Sequence, residues 1–393
     1  MLAPTPIPSP LSVSAAAYAT ACEAARISGG YPGALDRYQR LYRLGHFNQT
    51  NLAVSPALIT RTHESECSEG RIVKLALALT PRPDRPHERL ETESVVIPMI
   101  GKKRLLTHTL CVSSQVGCAM GCTFCQTAQM GLLRNLSPDE IVQQWLVARH
   151  LAPNPLTPES NGFDSIRNIV FMGMGEPMDN LDNVIGAIEV LTDHRGPNLP
   201  MCKVTISTVG RVDGIYTLAA KVRQPGWHRL NLAVSLNAPN DQVRSLIMPI
   251  NKRYSLSELR TALEAWPVYG SAKICFEYVL IPGVNDQPEH AHELGDFVIG
   301  RGEYAGRPPL QGLVNLIPYN PREQSPWPAP DERAVDRFLA WLLEAGTYAK
   351  RRRTKGRDAM SACGQLGNPS LRSRPRTSVP VQLGIANLTS TTQ

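Results

Sequence analysis

Three cysteines crowd into the segment GCAMGCTFCQTAQMG: Cys118, Cys122 and Cys125, spaced C-x3-C-x2-C. Thiolates are the ligands of soft metals and iron–sulfur clusters. A structural zinc site closes on four ligands, often as paired C-x2-C or with a nearby His, and no fourth ligand stands at a matching spacing here. A [4Fe–4S] cluster held by three thiolates leaves one iron open to a small molecule, and an open iron has a catalytic use. On spacing alone, an incomplete zinc site and three merely buried thiols are the alternatives. Phe124, just before the last cysteine, adds apolar shielding.

Further candidates lie downstream. In GMGEP (Gly173 to Pro177), Gly175 lets backbone approach a ligand and Glu176 can accept a hydrogen bond from an ammonium group. Ser207, Ser235 and Asn320 each stand near a predicted strand end, where a polar group either reaches a ligand or simply caps the strand. Cys363, in SACGQLG, follows the basic run RRRTKGRD. Neighbouring cations favour thiolate over thiol, which would make Cys363 a nucleophile rather than an inert thiol. Cys111 precedes Cys118 by seven residues, a spacing that excludes it as a fourth cluster ligand and fits a separate role.

These residues need a frame. Strand signals at 106–113, 166–173, 202–208, 230–236, 273–281 and 312–319 alternate with helical patterns such as SPDEIVQQWLVARHL, NLDNVIGAIEVLTD and SLSELRTALEAW. That alternation predicts parallel βα units, with active residues at the C-terminal strand ends. Ser before the acids in SPDE and SLSE predicts helix N-caps. Upstream, RIVKLALAL and ESVVIPM read as strands of a small α+β accessory domain over residues 21–100. Residues 1–20, rich in Pro, Ser and Ala, read as disordered, 101–366 as the core, and 367–393 as a flexible basic tail.

Composition narrows the class. The 393 residues carry 41 Lys plus Arg against 34 Asp plus Glu, a formal charge of +7. The segment from Lys350 to Arg376 carries more than the whole excess, nine basic residues against one acid, so a near-neutral body carries one basic end; either a phosphate-rich partner or a solvated tail accounts for it. No run of about 18 apolar residues occurs, so no membrane span is expected, and the N-terminus lacks the basic start of a signal peptide. Nine cysteines, an odd number, speak against a disulfide scaffold and for a reduced, cytoplasmic setting with metal or redox chemistry.

The cysteine spacing after a strand resembles the radical S-adenosylmethionine (SAM) superfamily. The resemblance sharpens with LCVSSQVGCAMGCTFCQTAQMG, GMGEP, STVG, NLAVSLNAP, IMPINKRY, YVLIPGVND, VNLIPYNP and ACGQL, which occur in the order of the RlmN/Cfr family, from about residue 90 to 367. It implies a partial (βα)6 TIM-type barrel and an enzyme that methylates an adenosine of 23S rRNA, at carbon 2 in RlmN and carbon 8 in Cfr, with some tRNAs as further RlmN substrates. It further implies one [4Fe–4S] cluster on Cys118, Cys122 and Cys125, and two SAM molecules per turnover. Gly175, Glu176, Ser207, Ser235, Leu236, Asn237 and Asn320 would contact SAM. Cys363 would carry the methyl group, Cys111 would form a transient disulfide with it, and Glu93 aligns with the proposed proton acceptor. An electron donor such as flavodoxin or ferredoxin and a monomeric state are expected. Two departures stand out: Asn237 replaces the family's usual His, and the N-terminal region diverges. A carbon 8 enzyme, or a radical SAM enzyme of another reaction type, is the competing reading.

Overall fold

A computed structural model describes residues 7–101, 104–154, 162–270, 273–322, 324–352, 362–368 and 370. Helices α1 (Ala15–Ala24) and α2 (Gly30–Leu44) come first, followed by the short strands β1 (Asn48–Gln49) and β2 (Leu52–Ala53). Strands β3 (Ile59–Cys67), β4 (Gly70–Ala78) and β5 (Glu91–Ile100) complete the N-terminal part. After β6 (Leu106–Cys111), a hairpin of β7 (Gln115–Gly117) and β8 (Leu132–Asn135) encloses α3 (Gln126–Met130).

Regular alternation then begins: α4 (Pro138–His150), β9 (Ile166–Phe171), α5 (Leu181–Thr192), β10 (Val204–Thr208), α6 (Val212–Val222) and β11 (Asn231–Ser235). Helices α7 (Asp241–Ile247) and α8 (Leu256–Glu264) precede β12 (Ile274–Leu280). The chain closes with α9 (Pro288–Ile299), β13 (Gly312–Pro318), α10 (Glu332–Glu344) and β14 (Ala349–Arg351).

One ten-stranded sheet carries the molecule, ordered β14-β13-β12-β11-β10-β9-β6-β5-β4-β3. From β6 to β13 six strands run parallel, as the alternation predicts, and match the partial (βα)6 barrel that the family resemblance implies. Strand β14 adds in parallel at one edge, and β5, β4 and β3 continue the other edge antiparallel. Register follows apolar demand: Ile169, Ile206, Val234, Phe276 and Val314 are fully buried, and Leu218, Leu263, Phe297 and Phe338 from the helices are buried with them. Each such side chain contributes roughly 1.5–3 kcal/mol on burial. Both expected caps form as reciprocal boxes, Ser137 with Glu140 and Ser255 with Glu258.

The structure corrects two readings. Residues 15–20, expected to be disordered, form the first part of α1, because the start of the helix is tied down. Tyr38 and Tyr42 hydroxyls donate to the carbonyls of Val13 and Pro10, and the Ala15 N–H donates to Asp193. Strand β3 is missing from the expected strands of the accessory domain; it is the outermost strand, so its polar residues ITRTHESEC face water without penalty.

Candidate active site at the strand ends

The residues singled out by sequence converge on a cavity at the C-terminal ends of the parallel strands. Cys118, Cys122, Cys125, Gly175, Glu176, Ser207, Ser235, Asn237 and Cys363 all line it. The cysteine loop is held from three sides. The Cys118 N–H donates to Gly131 O at 3.0 Å, closing the β7–β8 hairpin, and the Thr123 N–H donates to Ile247 O at the end of α7 at 3.0 Å. Gln126 N–H reaches Gly364 O at 2.8 Å, and the Thr127 hydroxyl reaches Leu366 O at 2.6 Å, so the loop also holds the Cys363 segment. Cys118 and Cys122 are buried, and burial pushes both thiols up.

Thiols in such a place stay protonated unless a metal displaces the proton. Among the described residues no group of three or more His, Cys, Asp and Glu side chains is arranged for a single metal ion. Three thiols set around one apolar-walled cavity, beside Phe124 and Met120, fit a cluster of several irons with one iron per thiol.

Opposite the thiols, GMGEP turns at Gly175. Its backbone lies at φ 100°, and an added Cβ would stand 2.5 Å from Gln115 Cβ. Gln115 Oε1 accepts from the Glu176 N–H at 2.9 Å, and the Glu176 carboxylate accepts from Met178 N–H at 3.1 Å and Val209 N–H at 2.9 Å. Burial raises the Glu176 carboxyl, and these donors offset part of that rise. Gly175→Ala therefore meets both an unfavourable backbone region and a clash, worth about 1–3 kcal/mol for the strain alone. The expected outcome is a lower melting temperature by differential scanning calorimetry; an unchanged melting temperature would count against strain at this turn.

Glu277, on β12, escaped sequence reading. Its carboxylate accepts from the Ser207 hydroxyl at 2.9 Å and the Ser235 hydroxyl at 3.4 Å, and Arg352 Nη1 approaches it at 3.6 Å. The only signal was one acid inside the apolar run ICFEYVL, buried in the structure. Arg352 and Cys363 lead into a second cavity of about 500 Å³, lined also by Cys111, Ile97, Asn315 and Asn320. Cys363 is thus on the wall common to both cavities. Burial raises its thiol, while Arg352 favours the thiolate. Cys111 is pushed up to about 12 by burial, with Cys363 beside it adding to the effect.

Three expected contacts lie elsewhere. Asn320 sits in the second cavity, its side-chain amide donating to Cys363 O at 3.4 Å. Leu236 is packed in the core, and its N–H donates to Glu277 O at 3.0 Å. Glu93 is buried outside both cavities, paired with Lys74 Nζ at 3.4 Å and accepting from the Gly367 N–H at 2.8 Å. Asn237 takes a left-handed backbone at φ 54° and accepts from the Val279 N–H at 2.9 Å. The basic residues Arg353, Lys355 and Arg357 lie outside the described residues.

The profile of the radical SAM superfamily matches residues 112–295. A probable dual-specificity RNA methyltransferase RlmN 1 of Protochlamydia amoebophila is 38% identical, across 94% of this chain and 97% of its own length. The chain belongs to the RlmN/Cfr family. A dual-specificity RNA methyltransferase RlmN of Lawsonia intracellularis is 42% identical over 70% of this chain and 71% of its own. Among solved structures, a radical SAM methyltransferase from Sphaerobacter thermophilus superposes with a TM-score of 0.74 at 32% identity, covering 91% of this chain and 98% of that one. As a member of the family the chain is a radical SAM enzyme, and among its described residues no helix is long and apolar enough to cross a membrane.

Proposed function

We infer that this enzyme methylates carbon 2 of an adenosine in 23S rRNA, and in tRNA as a second substrate, through a methyl group carried on Cys363. The observation that carries the reading is the place of Cys363, between a three-thiol cavity on one side and Cys111 on the other. An adenine amidine carbon is electron-poor and does not attack the SAM methyl by simple displacement, so a route through a sulfur carrier has a chemical reason.

Cys118, Cys122 and Cys125 would hold the cluster, Glu176 the SAM ammonium group, and Ser207 and Ser235, fixed by Glu277, its remaining polar edge. When bound, cluster and SAM supply a 5′-deoxyadenosyl radical through one-electron reduction. The protein's own part is to present sulfur. The Cys363 thiolate takes a methyl group from a first SAM by polar displacement. Loss of a hydrogen atom from that S-methyl group lets its carbon join the ring. The adduct gives one electron back to the bound cofactor and its ring proton to a base, leaving a thioether between Cys363 and the nucleotide. The Cys111 thiolate then attacks the Cys363 sulfur, and the S–CH2 bond breaks as the disulfide forms. The released carbon takes up a proton to become the methyl group, and the electron donor reduces the disulfide for the next turnover. Glu93 acts at a distance in this arrangement, holding the Gly367 N–H and hence the Cys363 segment. A splayed-out, unpaired adenosine fits the geometry, and the second cavity is its approach. A flavodoxin- or ferredoxin-type donor would supply electrons to a monomeric, cytoplasmic enzyme.

The test is mass spectrometry of rRNA and tRNA nucleosides from a strain lacking this gene. The expected loss is of 2-methyladenosine; loss of 8-methyladenosine instead, or of neither, overturns the assignment.

Arg352 gives a separate check. Burial disfavours the Cys363 thiolate and Arg352 partly restores it, so Arg352→Met raises the thiol further and lowers the thiolate fraction at neutral pH. Iodoacetamide labelling of the Cys363 peptide, followed by mass spectrometry, should slow on the order of tenfold and recover as pH rises. Equal rates in both proteins would remove Arg352 from the account.

A further inference from the structure

Arg244, on α7, is fully buried, with 0% exposure. Its guanidinium donates to four oxygens, none of them a carboxylate: Leu236 O at 3.1 Å, Val209 O at 2.6 Å, Ser235 O at 3.3 Å and Asn251 Oδ1 at 3.0 Å. Among the described residues it forms no ion pair. A buried cation without a counter-charge is costly, and carbonyl dipoles repay only part of that cost. A charge on Cys122, such as a metal-bound thiolate carries, would favour this guanidinium more than Asp241 does. Geometry places Arg244 behind the thiol loop: α7 ends at Ile247, whose carbonyl holds the Thr123 N–H between Cys122 and Cys125. The carbonyls it binds at Val209 and Ser235 belong to residues lining the three-thiol cavity.

We propose that Arg244 is a positioning residue whose permanent positive charge serves as the counter-ion of the iron–sulfur cluster and raises its reduction potential. This rests on the cluster assignment made above. A cluster on three thiolates is anionic and gains one further negative charge on reduction, so a fixed cation in a dry interior stabilises the reduced form more than the oxidised one. Lysine would keep that charge with a different hydrogen-bond pattern, whereas glutamine would keep some hydrogen bonds and lose the charge.

The test is an EPR-monitored redox titration of reconstituted protein, with iron content and melting temperature measured on each variant. Arg244→Gln is expected to lower the equilibrium constant for reduction at least tenfold, a shift of 59 mV to more negative potential for one electron. Arg244→Lys should stay near the wild-type value. Asn251→Asp leaves the arginine in place and sets a carboxylate against it, so it should shift the potential in the same direction as Arg244→Gln. That variant decides the matter if Arg244→Gln fails to fold. An unchanged potential in Asn251→Asp, or equal shifts in the Lys and Gln variants, overturns the counter-ion role and leaves a purely structural arginine. Wild-type protein that takes up no cluster at all would instead overturn the assignment of the three cysteines.

Discussion

Cys363→Ala is expected to retain reductive SAM cleavage and to transfer no methyl group. The thiol lies on the wall between the two cavities, and its segment is held by backbone bonds from Gly364, Leu366 and Gly367 rather than by its own sulfur. Removing the sulfur therefore leaves the Cys118 loop and the Glu176 turn in place. A radical SAM enzyme of another reaction type has no use for that sulfur and would lose nothing. The measurement is paired: 5′-deoxyadenosine by liquid chromatography, and methylated nucleoside by mass spectrometry. Product formation at the wild-type rate would end the methyl-carrier account. Cys111→Ala should differ in kind, accumulating protein joined covalently to RNA, since the carrier sulfur is loaded but not released.

The second large effect concerns the metal. Alanine at Cys118, Cys122 and Cys125 together should reduce iron and sulfide from about four of each per chain to near zero after anaerobic reconstitution. SAM cleavage and methyl transfer should disappear together, unlike in Cys363→Ala. The physical reason is the burial of Cys118 and Cys122, which makes the free thiolates unfavourable and the metal-bound form the one that stabilises the loop. Iron retained in the triple variant, or zinc taken up by wild type in place of iron, would contradict the assignment.

How much of this was readable beforehand follows from distance along the chain. C-x3-C-x2-C and GMGEP are local, so spacing narrows their chemistry; GMGEP lies just after the parallel strand β9, and the cysteine loop follows the short β7 beyond β6. The alternation of strands and helices was equally legible, since a strand buried on both faces is a short apolar run. Glu277 was not, because one acid in ICFEYVL has no local partner; Ser207, Ser235 and Arg352 come to it from three other segments. The meeting of Cys111 with Cys363 depends on strand order, since β6 and the segment after β14 lie far apart in sequence yet reach the same cavity. Charge reasoning at Cys363 counted cations along the chain and could not see that Arg352 is the described one beside it, or that burial opposes its effect. The N-terminal helix was hidden because its stability comes from Tyr38, Tyr42 and Asp193, none of which is near it in sequence.

The most direct test of the whole account uses SAM carrying a fully deuterated methyl group, with reconstituted enzyme, a one-electron reductant and unmodified 23S rRNA. Transfer through an S-methyl group on Cys363 removes one deuterium before the carbon reaches the base, so the isolated 2-methyladenosine should hold two deuteriums in its new methyl group, with the third in 5′-deoxyadenosine. A nucleoside holding all three would mean direct displacement from SAM, and would contradict the role given to Cys363.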